Sequence, residues 1–156
     1  MAVTSAAADL IMPEGPKTNM PARRRARKRA LDVLYEADLR DLPLPQVLDA
    51  YVGRLENPRP EHLPYAIGLV RGIDKHLSRI DETISTYAEG WTLDRMPVVD
   101  RNLARIAVYE LFYLDEIDDP VAISEAVELA KELSTDDSPR FLNGLLGRIA
   151  DYAPRD

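Results

Sequence analysis

Apolar residues recur every three or four positions from residue 22 onward, and this spacing limits the possible folds more than any other feature. In segment 44–56 they stand at positions 44, 47, 48, 51, 52 and 55, which lie on one face of a helix. The same pattern predicts helices over 22–41, 61–88, 95–114, 121–134 and 138–152. No segment combines alternating polar and apolar residues with hairpin signals, so strands are not expected. The sequence therefore predicts an all-α fold of six or seven helices.

The breaks between these segments predict how the chain is organised. "NPRP" at 57–60 and "EGWTL" at 89–93 interrupt the periodicity, while Ser138 and Pro139 suit the N-cap and first position of the last helix. We expect two packed three-helix-type bundles, at about 21–88 and 91–156, forming a single domain. Residues 1–20 contain Pro13, Gly15 and Pro16 and are predicted to be a disordered extension. Whether residues 1–19 belong to the native protein is left open, since Met20 could serve as a start.

The basic residues within segment 23–29, here called the arginine cluster, run against the charge of the rest of the chain. Six of these seven positions are Arg or Lys, yet the chain has 20 basic and 27 acidic residues and a net charge of -7. Cations in the first turns of a helix oppose its dipole, and most of this surface would repel nucleic acid. Arginine suits phosphate contact and base stacking. The cluster predicts focused nucleic-acid binding, with a solvated basic tail as the structural alternative.

The sequence contains no pattern of residues typical of a catalytic or cofactor-binding site. The chain has no cysteine, and its two histidines, His62 and His76, stand fourteen residues apart in one predicted helix. That separation is about 21 Å, too far to share a ligand or a proton. No P-loop, dinucleotide fingerprint or nucleophile elbow occurs. We expect a binding protein without enzymatic activity, cofactor or metal.

The N-terminal residues and the hydropathy of the chain indicate where in the cell the protein is expected. The first residues lack the basic start and apolar core of a signal peptide. No apolar run approaches the roughly 20 residues needed to span a bilayer. The expectation is a soluble cytoplasmic protein with no membrane partner.

Three segments resemble the NusB family of bacterial transcription antitermination factors. They are "ARRRARKRALDVLYEADL", "WTLDRMPVVDRNLARIAVYEL" and "DDPVAISEAVELAKELSTDDSPRFLNGLLGRI", which occur in the family's order and extend the match over roughly residues 22–150. The resemblance implies an all-helical fold and a role in processive transcription of ribosomal RNA. The implied partners are single-stranded boxA RNA of ribosomal RNA leaders, ribosomal protein NusE, other Nus factors and RNA polymerase.

The resemblance also implies which residues bind. It places five cations on the RNA backbone: Arg23, Arg24, Arg25, Arg27 and Lys28. It places three residues near the same RNA: Asp137, Arg140 and Phe141. It directs four toward the protein partner: Tyr35, Asp100, Arg101 and Glu110. Core burial is an alternative for Tyr35 and Phe141, whereas Arg140 opposes the dipole of its predicted helix, as the cluster does.

Two other functions remain as alternatives. One is the RNA-binding module at the front of some ribosomal RNA methyltransferases, which is disfavoured because no cofactor-binding α/β domain follows within the 156 residues. The other is a protein-interaction or dimerisation module whose arginines contact acidic partners. Salt-dependent RNA binding would separate this module from an RNA-binding factor. A homodimer is compatible with either.

Overall fold

The structure is a computed structural model that describes residues 21–155 and contains seven α-helices over that range. No strand occurs among these residues, which confirms the all-α prediction and the predicted number of helices. The predicted extension over 1–20 lies outside the described residues. The helices are α1 (Ala22–Arg40), α2 (Leu44–Gly53), α3 (Leu63–Lys75), α4 (Leu77–Tyr87), α5 (Val98–Tyr113), α6 (Asp119–Leu133) and α7 (Ser138–Tyr152), with a 3₁₀ turn at Leu93–Arg95 before α5.

The first compact unit ends at Asp74 and is a three-helix bundle of α1, α2 and α3. Apolar side chains of all three helices surround a common space that has no room for a water molecule, among them Ala30, Leu48 and Val70. Each fully buried aliphatic side chain contributes about 1.5–3 kcal/mol to folding. The predicted periodic face of 44–56 therefore packs inward, although α2 itself ends at Gly53.

The predicted long helix over 61–88 is wrong, because the structure divides it into α3 and α4 at His76. His76 leaves helical geometry (φ −113°, ψ 21°), and its ring stacks on Tyr113 at a centroid distance of 4.0 Å. No proline or glycine stands at the break, so the sequence carries no signal for it. The two units divide here, between Asp74 and Lys75, rather than after residue 88.

The second unit, Lys75–Asp156, contains four helices instead of the three expected. Helix α5 packs against α4, α6 and α7, and α7 also packs against α4 and α6. Leu103, Ile106, Leu129, Leu145 and Ile149 are buried between them. Pro139 stands in the first turn of α7 as predicted, but the N-cap is Asp137 rather than Ser138.

Candidate nucleic-acid interface

Exposure divides the arginine cluster into two groups. Arg23 is exposed, and Arg24 and Arg25 are half-buried at the start of α1. Arg27 and Lys28 are only 3% and 1% exposed, and both interact with other groups of the protein. Of the five cations that the resemblance assigned to RNA, the first three therefore present surface to a ligand in this structure.

The start of α1 is electrostatically suited to an anion. The backbone amides of Arg24 and Arg25 donate to the carbonyl oxygen of Pro21 at 3.0 and 3.2 Å. The first turn contains no acidic residue, and no side chain caps it. Because the positive end of the helix dipole coincides with three arginines, phosphate is favoured at this end of the helix.

Tyr65 of α3 supports the exposed end of the cluster. The guanidinium carbon of Arg23 lies 4.9 Å from the centroid of the Tyr65 ring, and that of Arg27 lies 6.0 Å from it. Cation–π contacts of this kind hold a guanidinium against a ring face without neutralising its charge. Sequence reasoning missed Tyr65, since nothing in the spacing of α3 marks it as a neighbour of α1.

Arg29 has a structural role instead. Its Nε donates to Nε2 of His62 at 2.8 Å, and its Nη1 donates to the hydroxyl of Tyr51 at 3.0 Å. Both partners are buried, at 6% and 2% exposure respectively. Arg29 thus ties α1 to α2 and to the residue preceding α3, and His62 accepts this hydrogen bond on an unprotonated nitrogen.

A groove in the second unit surrounds the start of α7. It has a volume of about 520 Å³ and is lined by eight residues: Ala88, Glu89, Trp91, Asp137, Arg140, Phe141, Gly144 and Arg148. We call it the aromatic groove, because Trp91 meets Phe141 edge to face at a centroid distance of 4.7 Å. The three residues that the resemblance placed near RNA in this segment (Asp137, Arg140 and Phe141) therefore line the same groove. Trp91 and Arg148 were missed: both lie within segments that carry the resemblance, but it assigned neither of them a role.

Arg148 is held in place at the wall of the groove. Its Nε and Nη2 donate to the carbonyl oxygen of Tyr87 at 3.1 and 3.0 Å, and its Nη1 lies 3.5 Å from Oε1 of Glu89. These contacts join α7 to the C-terminal end of α4.

Asp100 helps to hold the 134–138 loop, which leads into the aromatic groove. Buried at 1% exposure on α5, it accepts a hydrogen bond from the hydroxyl of Ser134. Ser138 donates to Ser134 Oγ at 3.0 Å and accepts from the backbone amide of Thr135 at 3.2 Å. This network holds the 134–138 loop against α5 and so positions the first turn of α7.

The four residues assigned to the protein partner differ in exposure. Asp100 and Glu110 are buried, at 1% and 0%. Arg101 is half-buried and donates from Nη1 to the carbonyl oxygen of Leu93 at 3.1 Å. Tyr35 is half-buried on α1. Of the four, Tyr35 and Arg101 thus offer surface for direct contact.

We also searched residues 21–155 for a metal site and for a membrane-spanning helix. Across that range no three His, Cys, Asp or Glu side chains come together in a way that could hold a metal ion. None of its helices has both the length and the apolar character required to cross a membrane.

Fold and site together define a class of protein: a small chain whose residues 21–155 form two helical units, with arginines at the first turn of α1. The model of the NusB family matches residues 24–151, which is most of the chain. The chain therefore belongs to the NusB family.

Named relatives and solved structures agree with this membership. The chain is similar to transcription antitermination protein NusB of Salinispora arenicola, with 78% identity over 136 residues, 87% of this chain and 100% of the relative. The counterpart from Streptomyces avermitilis is 52% identical, covering 86% and 95% of the two chains. A structure of T. maritima NusB superposes with a TM-score of 0.76 at 39% identity, covering 88% and 96%. A crystal structure of antitermination factors NusB and NusE in complex with dsRNA superposes at 0.74, with 29% identity and coverage of 85% and 98%.

Proposed function

We propose that this chain is a transcription antitermination factor that binds single-stranded boxA RNA of ribosomal RNA leaders together with ribosomal protein NusE. The observation that carries the proposal is the 78% identity to a NusB over that relative's entire length. The solved complex of a family member with NusE and RNA supports both partners. Other Nus factors and RNA polymerase are the remaining partners, and the protein acts in the cytoplasm as a binder and not as an enzyme.

The RNA backbone binds at the start of α1 through Arg23, Arg24 and Arg25. These three side chains supply a focused positive surface on a chain whose net charge is -7. Contacts to phosphate hold the strand without reading its sequence, so sequence is read elsewhere, by contacts to unpaired bases.

Salt dependence tests this arrangement. If three cations each neutralise one phosphate, the slope of log affinity against log salt is about −2 on single strands, which is roughly a 20-fold loss between about 50 and 200 mM. We would measure fluorescence anisotropy of a labelled boxA-like single strand, and of a duplex of the same sequence, over this range. A slope near zero with measurable binding would contradict phosphate contact, and tighter binding of the duplex would contradict single-strand preference.

A matched pair of variants locates the surface. Arg24→Ala with Arg25→Ala should weaken binding to all RNA sequences about equally, because only backbone contacts are lost. Arg40→Ala is the control, since the Arg40 side chain is exposed and lies at the opposite end of α1, where it pairs with buried Glu36 (Nη1 to Oε2, 2.8 Å). Equal losses in both variants would mean that net charge, not the first turns of α1, determines affinity.

Tyr35 tests the partner face, since it lies on α1 beyond the arginine cluster. Tyr35→Ala should weaken NusE binding and lower RNA affinity in the ternary mixture, with little effect on RNA binding by this protein alone. Equal losses with and without NusE would place Tyr35 on the RNA. Absence of salt-dependent RNA binding together with strong NusE binding would favour a protein-interaction module instead.

A further inference from the structure

Tyr65 of α3 contacts two cations of the arginine cluster that would otherwise repel one another. Arg23 and Arg27 stand one helical turn apart on α1, so their side chains lie on the same side of that helix. Like charges at this spacing destabilise a helix, and the dipole already disfavours cations at its first turns. The guanidinium carbons of Arg23 and Arg27 lie 4.9 and 6.0 Å from the centroid of the Tyr65 ring. The electron-rich face of one ring therefore attracts both charges.

An aromatic ring holds Arg23 in a way that a carboxylate would not. At the opposite end of α1, Arg40 donates to buried Glu36 at 2.8 Å, and this ion pair offsets its charge. The side chain of Arg23 forms no hydrogen bond or ion pair with any residue in the range 21–155. Its contact with the ring leaves the charge in place and the N–H donors of the guanidinium available. Arg23 is therefore ordered and still able to bind a phosphate.

Ordering an arginine in advance changes the free energy of binding. An unrestrained arginine on the surface samples many rotamers, and fixing one such side chain on a ligand lowers affinity about 2- to 12-fold. A guanidinium that already rests on a ring has lost part of this freedom before RNA binds. A ring in this position raises RNA affinity without contacting the RNA.

We propose that Tyr65 is a positioning residue for RNA binding, whose ring holds the guanidinium of Arg23 at the start of α1 so that it meets a phosphate already ordered. The inference rests on the proposed function, in which Arg23 contacts the RNA backbone. It gives α3 a part in RNA binding that is exerted through α1. The effect depends on the electrons of the ring and not on the hydroxyl group.

Substitutions at Tyr65 separate the ring from its apolar bulk. Tyr65→Leu keeps an apolar side chain at this half-buried position but removes the ring, and it should lower affinity for a labelled boxA-like single strand about 2- to 12-fold. The salt slope should stay unchanged, because Arg23 still reaches its phosphate. Tyr65→Phe keeps the ring and should bind as the unaltered protein does. Tyr152→Leu is the matched control, since Tyr152 is a 73% exposed tyrosine at the end of α7, and it should also bind normally.

A double-mutant cycle tests whether Tyr65 acts through Arg23. In the Arg23→Ala background, Tyr65→Leu should cause no further loss of affinity, because the side chain that the ring positions is gone. An equal loss in both backgrounds would mean that Tyr65 contacts the RNA itself or only stabilises the fold. Either result would overturn the positioning role.

Two further measurements do not depend on how well the leucine variant folds. The first is the NMR resonance of the Arg23 Nε–H group, identified by its absence in Arg23→Ala. The ring current should shift it in the unaltered protein and in Tyr65→Phe, and a resonance at the position of an unrestrained arginine would contradict the contact. The second is a trifluorinated phenylalanine at position 65, which keeps the shape of the ring and withdraws its electrons. It should bind RNA more weakly than Tyr65→Phe, and equal affinity would overturn the inference.

The outcomes distinguish this inference from the function on which it rests. Salt-dependent RNA binding with the same affinity in Tyr65→Leu and in the unaltered protein would overturn the positioning role and leave the proposed function intact. No RNA binding at any salt concentration, with or without NusE, would overturn the proposed function and the inference with it.

Discussion

Arg23→Ala and Arg29→Ala should have opposite consequences, although both residues belong to the arginine cluster on α1. Arg29 donates to His62 at 2.8 Å and to Tyr51 at 3.0 Å, and both acceptors are buried. Arg23 is exposed and contacts only the face of Tyr65 among the described residues. One side chain therefore stabilises the fold, and the other is available to RNA.

The magnitudes follow from these contacts. A hydrogen bond from a charged donor contributes about 1.5–3 kcal/mol, so losing the two made by Arg29 costs about 3 kcal/mol when water replaces part of them. For a chain of this length that lowers Tm by about 6–12 °C. For Arg23, the cation–π contact contributes about 0.5–1 kcal/mol, and relief of the unfavourable helix dipole returns a similar amount. Stability should therefore change by less than about 0.5 kcal/mol in Arg23→Ala.

The assay combines thermal unfolding, followed by circular dichroism, with RNA anisotropy at several salt concentrations. Arg23→Ala should lower the salt slope by about 0.7, and Arg29→Ala should leave it unchanged at a temperature where the variant is folded. Arg29→Lys is the control for charge, since an ammonium cannot reproduce the fork of donors and should recover only part of the Tm. A Tm for Arg29→Ala within about 2 °C of the unaltered protein would refute the structural role.

Two further predictions concern the second unit. Ser134→Ala removes the hydroxyl that donates to buried Asp100 and should cost about 1–3 kcal/mol of stability while increasing hydrogen exchange of the 134–138 loop; an unchanged loop exchange rate would contradict the proposed network. Arg105 binds both carboxylate oxygens of Asp81 at 2.8 and 2.9 Å, so Arg105→Lys should destabilise nearly as much as Arg105→Ala in chemical denaturation. Full recovery with lysine would mean that charge alone, and not the paired hydrogen bonds, joins α4 to α5.

The sequence was sufficient to predict most helices because their apolar residues recur with the helical period and their ends carry proline or polar residues. Segments 22–41, 121–134 and 138–152 agree with α1, α6 and α7 to within two residues. The break at His76 could not be predicted, since it has no proline or glycine and coincides with a ring stack on Tyr113, distant in the chain. Local pattern determines whether a helix forms, and tertiary packing determines where it must end.

The candidate site shows the same division. The sequence alone located the arginine cluster, because its charges oppose both the helix dipole and the net charge of the chain. The resemblance to the NusB family added the segment around Arg140, a residue whose charge also opposes the dipole of its helix. Only the tertiary structure decided that Arg27 and Lys28 are buried, that Arg29 binds His62, and that Trp91 lies beside Phe141. Exposure and proximity depend on which helices pack together, and that packing brings together residues whose separation in the chain carries no periodic signal.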